Sequence, residues 1–203
     1  MTPVSKYMSL FLIIIFTIGM VWLAGQFFSP GSKLPVLGEP GHTAGGFSFI
    51  NQQGERVTEE AVKGKVTVVE YFFTHCTGIC PVMTGNLRKV YDEYKGKKDF
   101  TILSHSVDPE RDSVPVMAVF AARIGARPPT WQFLTGDKEA LYKAARQDYL
   151  LAVEDTVTAS LEQDFIHTEY VALLDKERKI RGVYNATDST SIEKLIEDIK
   201  ELL

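Results

Sequence analysis

The only two cysteines of this 203-residue chain lie four apart, in Thr74-His75-Cys76-Thr77-Gly78-Ile79-Cys80-Pro81. Such a pair can bind a soft metal ion or carry out thiol–disulfide exchange, and in both cases the thiolate is the active form. A β-branched and aromatic run, residues 66–73, precedes the pair. After it, Pro81 opens a pattern in which Met83, Leu87, Val90 and Tyr94 recur at helical spacing. The cysteines therefore fall where a buried strand hands over to a helix N-terminus. Free amides and the helix dipole favour negative charge there, so both thiolates should be stabilised. The spacing brings the sulfurs to one side of a helical turn, where they can chelate one ion or, if the loop relaxes, close a disulfide. The plainer alternatives are two inert packing cysteines, or a structural disulfide whose short loop yields little entropic stabilisation.

The four histidines differ in promise. His42 lies in a Gly- and Pro-rich stretch and is expected in solvent. His75 adjoins Cys76, but adjacent side chains point apart, so it should tune charge rather than share a ligand position. His105 sits within a strand pattern, where a core or strand-end role is the default. His167 falls in an irregular segment, residues 162–168, just before another strand pattern. In an α/β sheet that loop can reach the loop after the first core strand, which makes His167 the histidine of interest. The stretch Asp108-Pro109-Glu110-Arg111-Asp112 reads as a loop that starts a helix, with Asp108 able at most to hydrogen-bond a metal ligand.

Several elements must position these residues. Residues 47–50 and 56–58 flank Asn51-Gln52-Gln53-Gly54 and predict a hairpin. Residues 66–73 predict a central strand buried on both faces. Strands follow at 100–106, 131–134, 170–174 and 180–184. Helices are expected over 81–94, over 114–124 behind Ser113, over 138–149 behind Asp137, and over 191–203, where Ile192, Leu195, Ile196 and Ile199 form a stripe. Strand and helix alternation gives an α/β fold class with helices covering a mixed sheet. Ligands gather beyond the carboxyl ends of the strands in such sheets, which is where the cysteine segment lies.

Composition narrows the function classes. Hydrophobic residues make up 45% and charged residues 24%, so the chain is neither disordered nor fibrous. A net charge of -4 argues against a nucleic-acid footprint. Two cysteines are too few for a disulfide scaffold or a four-cysteine zinc site. Residues 8–28 contain no charged residue or histidine, enough for the roughly 20 residues of a transmembrane helix. They outlast the apolar core of a cleaved signal peptide, so a retained anchor is expected. Lys6 before the run puts residues 1–7 in the cytoplasm as a short tail. Residues 29–46, rich in Gly and Pro, predict a linker to a domain over 47–203. A single-pass bacterial inner-membrane protein with its C-terminal domain in the periplasm fits this layout.

Taken in order, the motifs resemble the Sco/SenC family of membrane-anchored copper chaperones. They are Tyr71-Phe72-Phe73-Thr74, C-x-x-x-C-P from Cys76 to Pro81, Ser106-Val107-Asp108-Pro109-Glu110-Arg111-Asp112, Leu134-Thr135-Gly136 after Trp131, and the His167 segment. The resemblance covers most of residues 41–203. It implies a thioredoxin-like fold, with Cys76, Cys80 and His167 binding one copper ion, Cu(I) or Cu(II), and with Cys76 and Cys80 able to form a redox-active disulfide. It also implies delivery of copper to the binuclear site of the copper-bearing subunit of cytochrome c oxidase, with another copper chaperone as donor, and no enzymatic role. Thr77 stands where family members often carry Pro, and Ile166 where many carry an acidic residue, with Asp164 further back. Two other functions use the same cysteines: a thiol–disulfide oxidoreductase that keeps the oxidase cysteines reduced, or a redox sensor. A peroxidase needs an Arg close to its cysteine, and Arg88 lies too far along the helix.

Overall fold

The computed structural model describes residues 11–20, 32–151 and 168–203. The chain divides into two compact units, Met1–Lys33 and Leu34–Leu203. In the first, residues 11–20 are helical throughout (α1). The rest of the expected 8–28 span lies outside the described residues, apart from this stretch. Among the described residues no helix is long and apolar enough to cross a membrane.

The second unit runs β1 (Ser48–Asn51), β2 (Arg56–Thr58), β3 (Val66–Phe72), α2 (Cys80–Tyr94), β4 (Phe100–Ser106), α3 (Val114–Ile124), β5 (Trp131–Thr135), α4 (Lys138–Lys143), β6 (Tyr170–Leu174), β7 (Ile180–Asn185) and α5 (Ser189–Leu202). The strands form one sheet in the order β2-β1-β5-β4-β3-β6-β7. β3, β4 and β5 are parallel, and the outer pairings are antiparallel. This is the mixed α/β sheet with flanking helices expected from the sequence.

Every residue of β3 and β4 is buried, as their β-branched and aromatic composition requires. Alternation along the strands sends side chains to two cores. Val66, Val68 and Phe72 pack beneath α2, α3 and α5 with Leu87, Met117 and Leu195. Val69 and Tyr71 join the other face with Phe49, Leu141 and Tyr149. β3 thus lies inside the sheet, beside the central β4, with both faces covered, and its end is a firm base for the cysteine loop.

Helix ends follow sequence chemistry in part. Asp137 accepts from the Ala140 amide at 2.8 Å, and Asp188 caps α5. Ser113 holds the cap position of α3, but its side chain makes no capping bond. The helix expected over 138–149 changes character at Ala144, where residues to Asp148 form a wider π turn. That turn presents Asp148 to the preceding chain: its carboxylate accepts from the Gly45 amide at 3.0 Å, and its carbonyl meets His42 Nε2 at 3.1 Å. His42 is therefore half-buried and partnered, not in solvent as its Gly- and Pro-rich surroundings suggested. Residues 34–46, read as linker, lie along β7. The Leu37 amide donates to the Ile180 carbonyl at 2.8 Å, and Arg181 reaches the Pro35 carbonyl at 3.0 Å.

α3 ends at Gly125, whose φ of 70° is left-handed. Arg88 of α2 donates to the Ile124 carbonyl beside it. A Cβ at residue 125 would lie 2.5 Å from Arg88 Nη1. Gly125→Ala should cost about 1–2 kcal/mol from the combined backbone strain and clash. A urea-unfolding midpoint equal to wild type would remove this account.

Candidate metal centre

β3 ends at Phe72 and α2 begins at Cys80, so residues 73–79 form the loop that carries Cys76. The Cys76 amide donates to the Phe73 carbonyl at 3.3 Å, which starts the turn. Cys80 is the first helical residue, with Pro81 following in a first turn where its missing N–H is harmless. Cys80 is 9% exposed, Cys76 is half-buried, and Thr77, Gly78 and Ile79 face solvent. Both cysteines are free thiols.

The two thiols are not equivalent. Burial by itself raises the Cys76 pKa, but the Cys80 thiol donates to the Cys76 sulfur, and the amides of Cys80, Gly78 and Ile79 also point at it. Together these bring Cys76 below the ordinary thiol value. Cys80 is pushed up to about 12, first by burial, then by donating its proton to Cys76, and further by the charges of Cys76 and Glu70. The expectation that the helix N-terminus stabilises both thiolates therefore holds for Cys76 only. The amides of the helix start converge on the sulfur before the helix, while Cys80 turns into the core.

Beneath the pair lies Glu70, a carboxylate in a strand otherwise apolar on that face. It is fully buried, and among the described residues no cation pairs with it. Ser104 donates to its Oε1, and Trp131 Nε1 donates to Ser104 Oγ at 2.8 Å. Burial raises Glu70 to about 7 despite the Ser104 bond. The loop is tied down from the other side by Asp112, also fully buried. Asp112 Oδ1 accepts from the Thr74 amide at 3.1 Å and from Thr74 Oγ1 at 2.6 Å, and Oδ2 accepts from Ser106 Oγ at 2.5 Å. The segment from Asp108 to Asp112 is thus more than a loop that starts a helix: it fastens the ends of β3 and β4 together.

The remaining site residues of the sequence reading separate. His75 is exposed beside Cys76. His105 lies fully buried on the opposite face of the sheet, among Phe47, Phe49, Tyr71 and Tyr149. Neither of its ring nitrogens reaches a hydrogen-bond partner among the described residues. Burial takes its pKa down to about 3, weakly opposed by the Glu70 and Leu103 carbonyls. His167, Asp164 and Ile166 lie outside the described residues. Among the described residues no cluster of three or more His, Cys, Asp or Glu could hold a metal ion.

Residues 37–203 match the SCO1/SenC family. The chain belongs to this family. A relative, the SCO1 protein homolog of Bacillus subtilis, is 31% identical over 156 residues, covering 76% of this chain and 79% of that protein. Two mitochondrial relatives, from Arabidopsis thaliana and Homo sapiens, are longer, and the chain spans 30% and 35% of them. Among solved structures, BsSco, described as a member of the Sco family of cytochrome c oxidase assembly proteins and as carrying a disulfide switch, superposes with a TM-score of 0.65. It is 28% identical and is covered over 96% of its chain, against 82% of this one. ScoI of Bradyrhizobium japonicum with copper bound gives a TM-score of 0.62 at 25% identity, covering 79% of this chain and 99% of that one. The mixed sheet with its flanking helices is the thioredoxin-like fold of the family.

Two residues of the site, Glu70 and Asp112, were missed by sequence reasoning. A carboxylate inside the run Val-Thr-Val-Val-Glu-Tyr-Phe-Phe was a signal, because a buried charge needs a reason. Asp112 carried no such signal, since its partner Thr74 is remote in sequence.

Proposed function

We propose that the protein is a membrane-anchored copper metallochaperone of cytochrome c oxidase assembly. Cys76, Cys80 and His167 hold one copper ion and hand it to the binuclear site on the copper-bearing subunit of the oxidase. Residues 8–28 anchor the chain in a bacterial inner membrane with the domain in the periplasm, and another copper chaperone supplies the metal. The observation that carries this reading is the placement of the two cysteines beyond the end of a buried strand, Cys76 in the loop and Cys80 opening α2. Two soft sulfur donors so placed suit a soft monovalent ion. Copper bound to ScoI and the oxidase-assembly role of BsSco support the choice of ion and recipient.

The residues divide the work. Cys76 meets the ion as the readier thiolate. Cys80 gives up its proton as it binds, and its high pKa makes uptake weaken as pH falls. The amides of Gly78 and Ile79 hold the Cys76 side of the loop in place. An imidazole from His167 adds a harder donor that suits Cu(II) as well as Cu(I).

The same asymmetry favours a second reading. A half-buried cysteine of lowered pKa beside a buried one of raised pKa is the arrangement of an attacking and a resolving cysteine, which suits reduction of the oxidase cysteines or redox sensing. Copper titration of the reduced full-length protein, wild type against His167→Ala, separates the two. The substitution should weaken Cu(II) binding about 10- to 100-fold and Cu(I) binding less, while the Cys76–Cys80 disulfide still forms and is reduced. Oxidase activity in cells should fall with it. Wild-type binding of both copper states together with normal oxidase assembly would leave the thiol-exchange reading alone.

A further inference from the structure

The hydroxyl protons around Asp112 can be counted. Its two oxygens accept from Thr74 Oγ1 at 2.6 Å and Ser106 Oγ at 2.5 Å, separations that belong to hydroxyl donors on a charged carboxylate. Ser106 is fully accounted for, because its oxygen accepts from the Asp108 amide at 3.0 Å. Thr74 has one hydroxyl proton, and it is spent on Asp112. Thr74 Oγ1 also lies 2.9 Å from His75 Nδ1, and toward that nitrogen it can only accept. The neutral His75 ring therefore carries its proton on Nδ1 and keeps a bare lone pair on Nε2. The ring is exposed, at the rim of the cysteine loop. A histidine whose one nitrogen donates toward a carboxylate while the other is bare is arranged like a metal ligand, here with Thr74 as the intermediary.

We infer that His75 is the exchange ligand of this site: copper enters and leaves the Cys76–Cys80 pair through His75 Nε2, and Asp112 acts through Thr74 as the positioning residue that fixes the tautomer. This rests on the copper reading above and adds to it a route for the metal. His75 is the exposed chain neighbour of Cys76, with Cα atoms about 3.8 Å apart, so an ion held at His75 is held at the entrance of the cysteine loop. His75 is exposed while Cys76 is half-buried, so the histidine serves the passage of the ion rather than its final coordination. In uptake, a bond from copper to Nε2 forms as a bond to the donor breaks. Bonds to Cys76 and Cys80 then replace it, and the thiol protons of the pair leave to solvent. No electron moves. An incoming ligand that binds before the outgoing one departs lowers the barrier in both directions, so both rates depend on His75 more than the equilibrium does.

The first test uses metal-free, reduced, full-length protein in detergent, with nitrogen-15 NMR of the histidine rings. His75 should show a protonated Nδ1 and a bare Nε2 in wild type and in Thr74→Ser, and should lose that preference in Thr74→Val. A wild-type ring protonated on Nε2 overturns the inference. The second test loads Cu(I) and follows its transfer to a coloured bidentate Cu(I) chelator by stopped flow. His75→Ala and Thr74→Val should each slow transfer about tenfold, with Thr74→Ser near wild type. His75→Ala transferring at the wild-type rate overturns the exchange role, and Thr74→Val doing so overturns the relay. If wild type takes up no Cu(I), the copper reading fails and takes this inference with it. Normal loading with unchanged rates defeats the inference alone.

Discussion

Replacing Cys76 by Ser is expected to cut the rate at which iodoacetamide modifies the reduced protein at pH 7 by at least about a hundredfold. The remaining thiol, Cys80, is held protonated chiefly by burial, with the Glu70 charge adding to this as that carboxyl ionises, even after Cys76 is gone. The reverse variant, Cys80→Ala, should keep a reactive Cys76. It loses the donated thiol proton but retains the amides of Gly78 and Ile79, so its reaction slows and its pH profile moves to higher pH. Mass spectrometry of each variant after timed alkylation measures the difference. Equal rates for the two single variants would mean that the helix start does not discriminate between the sulfurs. Copper reading and thiol-exchange reading alike would then lose their division of labour between the two cysteines.

The second large effect concerns acid stability, and two buried groups contribute to it with opposite sign. His105 has a folded pKa near 3 against 6.5 when free. The unfolded chain therefore binds the extra proton first, and the stability His105 contributes, fully present above pH 6.5, is lost as pH falls toward 3. Glu70 has a folded pKa near 7 against 4.5. Its contribution is fully present below pH 4.5 and is lost as pH rises through 7. Each slope approaches about 1.4 kcal/mol per pH unit within its window. Between pH 4.5 and 6.5 the two oppose each other, so wild-type stability should be nearly level there. Glu70→Gln should expose the full His105 slope across that window, and His105→Phe should expose the falling Glu70 slope. His105→Phe should also stabilise the fold near neutral pH, because it removes two buried nitrogens that find no partner among the described residues. Urea midpoints at several pH values between 4 and 7.5 decide it. Parallel profiles for wild type and both variants would show that neither group titrates as described.

These two residues also mark the limit of what the sequence discloses. Strand positions were legible from residue type alone, since runs such as Phe100–Ser106 and Val66–Phe72 can only be buried. The cysteine pair and its place at a helix start were legible for the same reason, together with Pro81. The placement of β1 between β2 and β5 was not, because it depends on pairings such as Ile50 with Thr135, far apart in the chain. Nor was the attachment of residues 34–46 to β7, since Gly and Pro suggest looseness while Arg181 and the Ile180 carbonyl supply the fastening. Asp112 looked like part of a helix-starting loop because its partners, Thr74 and Ser106, come from two different strand ends. A carboxylate's role is written in what surrounds it, and only the fold brings those surroundings together.

Trp131 gains a use from its place in this network. Its indole is fully buried, and its N–H donates to Ser104, whose own proton goes to Glu70, whose charge is felt by Cys80. Indole fluorescence is sensitive to nearby charge, so the emission of Trp131 is a label-free optical gauge of the cysteine pair from the core side. Trp22, outside the described residues, is the only other tryptophan, and a Trp22→Phe background leaves a single emitter. Loading, oxidation and release at the loop can then be followed in real time, without a dye and without touching a residue of the site.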